Sequence, residues 1–264
     1  MHMDDFCPSP VKERYWEIDA VRGSALLAMI LLHTIFLLGV FHILDVEVWL
    51  GLYLYLPIGT SVFVLISGAA LVLRYGRMAG QPRRAYHFAI LKRGVEIFLI
   101  GIGVSVVASL LIILFINDAR YMYFNFLQMM GLSMIICIPF LRFGKWNLIP
   151  GIFFILLGLV LEKIKGPAWL MVFGILPPDL VPRDYFPIFP WVGVMLLGVC
   201  IGALLYPKGI RRYSFPKAGK IGQFLALIGR YPLEIYLAHI PVIGAVLLVI
   251  VFVSGLLGFP IGHL

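Results

Sequence analysis

Residues 20–41 read AVRGSALLAMILLHTIFLLGVF, and this stretch decides the class of fold. It is predominantly apolar, and its ionisable residues are Arg22 near its start and His33 near its middle. A lipid hydrocarbon layer about 30 Å thick is crossed by roughly 20 residues of α-helix. The stretch is too long for the apolar region of a cleaved signal peptide, so we expect it to remain as a membrane span.

Similar apolar runs recur along the 264 residues, of which 62% are hydrophobic and only 13% charged. Soluble domains carry about 25% charged residues, so part of this surface is expected to face lipid. The sequence therefore predicts an all-α, polytopic transmembrane helical bundle of about seven spans. These cover residues 20–41, 52–73, 94–116, 123–141, 147–162, 189–206 and 232–257.

The basic residues fall mainly on one side of these spans. All but four of the 21 Lys and Arg residues lie before or at the start of span one, or in the connections after spans two, four and six; the four are Arg120, Lys163, Lys165 and Arg183. The positive-inside rule then predicts a cytoplasmic N-terminus and an external C-terminus. We expect one transmembrane domain over 1–264, with a cytoplasmic lead at 1–16 and a long extracytoplasmic segment at 163–188.

Several remaining features predict packing or loop structure. The four prolines at 177, 178, 182 and 187 exclude a long helix from segment 163–188, and residues 168–176 are too few to span. A shallow extra helix is expected near 219–229. Gly198 and Gly202 form a GxxxG pattern typical of close helix packing. The three cysteines show no disulfide or metal-binding spacing, and the net charge of +8 indicates lipid headgroups rather than nucleic acid.

One polar stripe in the first span is a candidate for chemistry. At 100° per residue, Asp19 and Arg22 lie on the same helix face as His33, which is about 16 Å deeper than Arg22. Ionisable groups within a bilayer are costly, so each needs a reason. A neutral imidazole can take a proton from an attacking hydroxyl or amine, which makes His33 a candidate general base. The alternative is a histidine that is hydrogen-bonded for packing alone.

Two further histidines are candidates. His239 lies in the last span, about 10 Å from its predicted start, and either takes part in chemistry or satisfies a neighbouring polar group. His42 lies at the outer end of span one, close to Asp45 and Glu47. It is either a solvated loop residue or a contact for a substrate outside the membrane.

The predicted cytoplasmic ends of spans one, three and seven carry Arg22, Lys92, Arg93 and Arg230. Arg and Lys suit phosphate, so these residues are candidates to bind a nucleotide-containing donor; anionic-lipid anchoring is the alternative. Glu96 lies four residues beyond Lys92 and is expected to pair with it. In span four, Asn125 and Gln128 are candidates to bind a sugar, or else to form interhelical hydrogen bonds.

The order of several motifs resembles one family. EIDAVRG at 17–23 leading to His33, the segments 63–68 and 91–94, DYFPIFPW at 184–191 and the closing segment 229–239 resemble the heparan-α-glucosaminide N-acetyltransferase catalytic-domain family, which is related to membrane acyltransferase family 3. The similarity covers nearly the whole chain.

This resemblance implies transfer of an acetyl or other acyl group from cytoplasmic acyl-CoA to a sugar or glycan acceptor, without a metal. It makes His33 the candidate base, with Asp19 and Arg22 as supports or donor contacts. In the lysosomal branch the catalytic histidine comes nearer the outer end of the span, where His42 is only loosely placed, so His42 remains the alternative.

Two other functions are open at this point. The same polar stripe suits a transporter or flippase for a lipid-linked sugar, which binds its cargo without transforming it. It also suits a haem protein with His33 and His239 as axial ligands. Expected partners are membrane lipids, acyl-CoA and a glycan acceptor, with a homodimer as an open alternative, and the expected location is the cell membrane.

Overall fold

The computed structural model describes residues 14–44, 56–78, 81–115, 122–180, 182, 184–258 and 261. Within these ranges the fold is all-α, as predicted, and only one isolated β-bridge interrupts it, between Lys165 and Leu176. The α-helices are α1 Trp16–Val40, α2 Leu56–Arg77, α3 Arg83–Phe115, α4 Phe126–Cys137, α5 Leu148–Leu161, α6 Ile188–Leu205, α7 Lys220–Ile228 and α8 Pro232–Leu256.

Six helical stretches among the described residues are long and apolar enough to cross a membrane, whereas the sequence predicted seven spans. The difference lies in the fourth stretch, Phe126–Leu161, which contains predicted spans four and five. A 3-10 segment Ile138–Asn147 joins α4 to α5, and Gly144 within it has a positive φ of 51° that breaks the helix. Apolar side chains remain exposed along these helices, as expected for surfaces covered by lipid.

The described residues form two compact units, one from Val64 to Ser214 and the other from Arg14–Phe63 with Phe215–Leu264. In the first unit, glycines bring α2, α5 and α6 into backbone contact. A Cβ on Gly198 would lie 2.0 Å from the Leu65 carbonyl oxygen, and one on Gly158 would lie 2.6 Å from the nitrogen of Pro190. The predicted packing role of Gly198 is therefore confirmed.

The chain reverses direction at Gly144 within this unit. Just before α6, the Phe186 amide donates to the Phe124 carbonyl, which precedes α4. Gly158 of α5 packs on Pro190 near the start of α6. Near the end of α6, the Cys200 thiol donates to the Lys145 carbonyl. Helix α4 therefore runs in the same direction as α6, and α5 runs in the opposite direction. Sequence reasoning had treated these two legs as separate spans.

In the second unit, α1 packs on α7 and α8. Helix α7 confirms the extra helix expected near 219–229. Contact between α1 and the α7–α8 junction is closest at two glycines: a Cβ on Gly23 would lie 2.0 Å from the Leu225 carbonyl oxygen, and one on Gly229 would lie 1.8 Å from that of Asp19. Only glycine permits backbones to approach this closely.

The segment after α5 has no long helix, as its prolines predicted. It contains the short 3-10 helix Ala168–Phe173, which ends at Gly174 with a φ of 111°. The Gly166 amide bonds to the Leu176 carbonyl, which closes the segment into a loop. The Tyr185 hydroxyl donates to the Met171 carbonyl and fixes the loop from its C-terminal side.

Candidate functional site

Two imidazoles meet inside the second unit. His33 on α1 and His239 on α8 have ring centroids 4.9 Å apart, with the ring planes at 78° to each other. Sequence reasoning proposed both residues and paired them only as axial ligands of a haem; the structure brings them into direct edge-to-face contact. Two titratable groups thus lie together within apolar, membrane-spanning helices.

The register of the two helices explains why the rings meet. An Arg22 Nη1 donates to the Gly229 carbonyl at 3.4 Å, which places the first turns of α1 beside the residues that precede α8. His33 lies eleven residues beyond Arg22, and His239 ten residues beyond Gly229. At a rise of 1.5 Å per residue, these separations are about 16 Å and 15 Å. Both helices run the same way from this contact, so the imidazoles reach the same depth.

Backbone carbonyls set the orientation of both rings. His33 Nδ1 lies 2.9 Å from the Met29 carbonyl oxygen, and His239 Nδ1 lies 2.5 Å from that of Tyr236. A carbonyl oxygen only accepts, so each Nδ1 carries a proton, and in the neutral ring Nε2 holds the lone pair. His239 is 6% exposed, and its Nε2 has no hydrogen-bond partner among the described residues. Such a nitrogen is suited to accept a proton from a bound group.

Asp19 forms a separate charged cluster near the start of α1. Its carboxylate accepts from Arg14 Nε at 2.6 Å and from Arg22 Nη1 at 3.3 Å, and the residue is only 4% exposed. Asp19 lies fourteen residues before His33, about 21 Å along the helix, so it does not contact the imidazole pair. The geometry makes it an anchor for two guanidinium groups. Sequence reasoning had not assigned Arg14 to this cluster.

The proposed donor contacts differ in their exposure. Arg230 follows α7 with its side chain exposed, whereas Arg22 is half-buried by its bonds to Asp19 and Gly229. Lys92 and Arg93 lie on α3 in the first unit, where Lys92 is exposed and Arg93 is half-buried. Glu96 pairs with Arg93 at 3.4 Å rather than with Lys92, so the predicted i,i+4 pair is wrong. The i,i+3 spacing on a helix brings side chains equally close.

Asn125 and Gln128, proposed as sugar contacts, are buried in a polar network of the first unit. They form a capping box at the start of α4: the Asn125 side chain accepts from the Gln128 amide, and the Gln128 side chain accepts from the Asn125 amide. Asn125 Nδ2 also donates to the Gly101 carbonyl at 2.7 Å and to the Ser105 hydroxyl at 3.0 Å. This geometry favours the interhelical alternative.

His42 lies just beyond the end of α1, and its side chain is exposed. Its backbone has a φ of 53°, which is uncommon for a residue with a side chain. Asp45 and Glu47, which the sequence placed near it, lie outside the described residues. His42 therefore belongs to the turn after α1, away from the imidazole pair, which is carried by the helix interior.

Comparison with known proteins gives one family. The model of the heparan-alpha-glucosaminide N-acetyltransferase catalytic family matches residues 14–241, which include α1, the Asp19 cluster and both histidines. No curated protein and no solved structure matches significantly. Because the match spans most of the 264 residues, the chain belongs to the heparan-alpha-glucosaminide N-acetyltransferase catalytic family.

Proposed function

We propose that this multi-pass membrane protein is an acetyltransferase of the cell membrane that moves an acetyl group from cytoplasmic acetyl-CoA to a hydroxyl or amine of a sugar or glycan. Membership of a membrane acetyltransferase family supports the reaction class and the donor. The hydrophobic helices support chemistry within the membrane. The acceptor, its side of the membrane and the residue roles below are parts of the proposal.

The observation that carries the proposal is the contact between His33 and His239. In the proposed step, the acceptor oxygen or nitrogen attacks the thioester carbonyl carbon while its proton passes to a histidine Nε2. The C–S bond breaks, the new C–O or C–N bond forms, and the imidazolium returns the proton to the CoA thiolate. A positioned base of this kind contributes about 10²- to 10⁴-fold to a rate.

We assign His33 as the base, because its ring is half-buried and so more accessible than that of His239. His239 is in edge-to-face contact with the His33 ring and is proposed to hold its orientation. The CoA phosphates are proposed to contact Arg22 and Arg230 of the second unit. Lys92 and Arg93 of the first unit stay a prediction from the sequence. Asp19 is proposed to position Arg22 through their ion pair.

The test uses purified protein in proteoliposomes with radiolabelled acetyl-CoA and a panel of sugar acceptors. His33→Asn is the sharpest variant, because the Asn amide can still donate to the Met29 carbonyl but supplies no group at the Nε2 position. We expect label transfer to fall about 10²- to 10⁴-fold with thermal stability little changed. His263→Asn removes an imidazole with no proposed role and is expected to retain full activity.

Other results of this assay would contradict His33 as the base or acetyl transfer as the function. Activity of His33→Asn within tenfold of wild type would remove His33 from the mechanism, and loss in His42→Asn instead would make His42 the base. A transporter or flippase would place no label on any acceptor. The haem alternative is disfavoured by geometry, because rings in direct edge contact leave no room for a porphyrin plane between them.

A further inference from the structure

The first unit contains an open cavity of about 850 Å³ that is strongly basic. Among the described residues that line it, five are cationic and none is Asp or Glu. The five are Arg83, Arg142, Lys145, Lys208 and Arg212. This set shares no residue with the proposed acetyl-CoA contacts.

None of these five cations forms an ion pair with a carboxylate in the described ranges, where the three ion pairs involve Arg14, Arg22 and Arg93. Three of them instead lie over the ring that follows in sequence: Arg142 over Phe143 at 4.6 Å, Lys145 over Trp146 at 5.7 Å and Arg212 over Tyr213 at 5.6 Å. Aromatic rings do not neutralise charge. The mutual repulsion of the five cations is therefore uncompensated and favours an anion.

The backbone that carries these cations is held in place by contacts within the unit. Lys208 has a positive φ of 55°, and its turn packs on α2, where a Cβ on Gly209 would lie 2.4 Å from the Gly76 Cα. Asn147 Nδ2 donates to the Phe140 and Gly144 carbonyls at 3.0 Å and 2.8 Å, which fixes the bend between Arg142 and Lys145. The walls are thus formed before any ligand binds.

The chemistry of the walls selects the class of ligand. Arg83 is the first residue of α3, so the free amides and positive dipole end of a 33-residue helix add to the charge of the side chains. The rest of the wall includes Val72 and Leu204, which lie toward the ends of apolar spans, and Leu141 in the 3-10 segment between α4 and α5. A ligand with a phosphate group and an apolar portion satisfies both parts.

We infer that this basic cavity binds the phosphate of an anionic lipid headgroup, with the acyl chains along the neighbouring spans. The cations come from three connections that the sequence predicts to be cytoplasmic, after spans two, four and six. Anionic lipids of the inner leaflet would meet them there. The inference does not depend on the histidine pair, which belongs to the other unit.

The test is a titration of the full-length protein in neutral detergent, read as the thermal unfolding midpoint. The probes are dihexanoyl phosphatidylglycerol and dihexanoyl phosphatidylcholine, which differ in headgroup charge but carry the same chains. We expect only the anionic lipid to raise the midpoint. Arg142→Gln with Arg212→Gln should weaken its apparent affinity about tenfold or more, because the variant removes two charge-assisted contacts to the phosphate.

The matched control is Arg77→Gln with Arg84→Gln, which removes the same charge from exposed residues that do not line the cavity, and it should bind as wild type does. Leu204→Trp fills the cavity without changing charge and should weaken binding even if the double Gln variant fails to fold.

Adenosine 3′,5′-bisphosphate, with no lipid present, tests the other source of phosphate. Stabilisation by it but not by the anionic lipid, lost in the Arg142→Gln with Arg212→Gln variant, would replace the lipid with a free nucleotide. Equal responses of cavity and control variants, or no response to any phosphate, would overturn the inference.

Discussion

At the scale of the residue, the contact at Gly229 has the largest effect on the candidate site. A methyl group there would lie 1.8 Å from the Asp19 carbonyl oxygen, which is a backbone atom, and no side-chain rotation can relieve the clash. The same contact sets the depth of His33 and His239. A clash here would push α1 away from the start of α8 and separate the two imidazoles.

We therefore expect Gly229→Ala to destabilise the protein by roughly 1–3 kcal/mol and to reduce acetyl transfer. Thermal unfolding in detergent and the proteoliposome assay measure the two effects. Gly244→Ala is the matched control, because its Cβ would meet nothing within 4 Å and Ala is the better helix former. If both variants unfold at the wild-type temperature, the contact is looser than the structure describes.

The histidine pair shows how far single-residue reasoning from sequence can go. His33 could be predicted as a functional candidate, because a lone imidazole in an apolar run is costly. Its depth in the first span was also predictable, from the rise of the helix per residue. Its contact with His239 was not predictable, because it depends on the register of helices 206 residues apart. That register follows from Gly23 and Gly229, whose small size is visible in the sequence but whose partners are not.

At the scale of the element, α4 depends on its N-terminal cap. Asn125 is fully buried and bonds to the Gln128 amide, to Ser105 and to the Gly101 carbonyl on α3. We expect Asn125→Ala to cost about 2–4 kcal/mol, because it removes the cap and leaves buried groups unpaired. Acceptor KM measured on the folded fraction should stay at the wild-type value. A raised KM with unchanged stability would instead support a sugar contact.

The loop after α5 depends on the Tyr185 hydroxyl. Burial, together with the Glu162 carboxylate, raises the pKa of Tyr185 to about 12, which favours the neutral form that donates to Met171. A raised folded-state pKa contributes stability that is present below the unfolded pKa of about 10 and is lost as pH rises towards 12.

We expect Tyr185→Phe to weaken this loop by about 1 kcal/mol and to speed tryptic cleavage after Lys163 and Lys165 at pH 8. The wild-type loop should become as susceptible as the variant only when brief proteolysis, with a protease active in alkali, is performed above pH 11. Equal cleavage rates at pH 8 would show that the hydroxyl does not hold the loop closed.

Most elements were predictable because apolar runs near 20 residues have few alternatives in a membrane. The exceptions have local causes. The sequence separates α4 from α5 correctly, but each helix is shorter than predicted, since Ile138–Asn147 is 3-10 and bends at Gly144. Asn125 and Gln128 were expected near a substrate because they are polar, yet the start of a buried helix requires the same residues.

At the scale of the whole molecule, the distribution of Lys and Arg predicts a cytoplasmic N-terminus. We expect single cysteines placed at Lys163 and at Arg84, with the three native cysteines replaced by Ala, to report opposite sides. A membrane-impermeant maleimide added to intact cells should label Lys163→Cys and should label Arg84→Cys only after permeabilisation. The reverse pattern would invert the orientation and place the basic cavity outside.

The shared depth of the two imidazoles also constrains how the sequence can change in length. One residue inserted between Gly23 and His33 would turn the ring by about 100° and shift it by 1.5 Å, which breaks the pair without altering any side chain. Insertions in the loop after α5 carry no such penalty. Among homologous chains, we therefore expect gaps to accumulate in that loop and to be absent from 23–33 and 229–239.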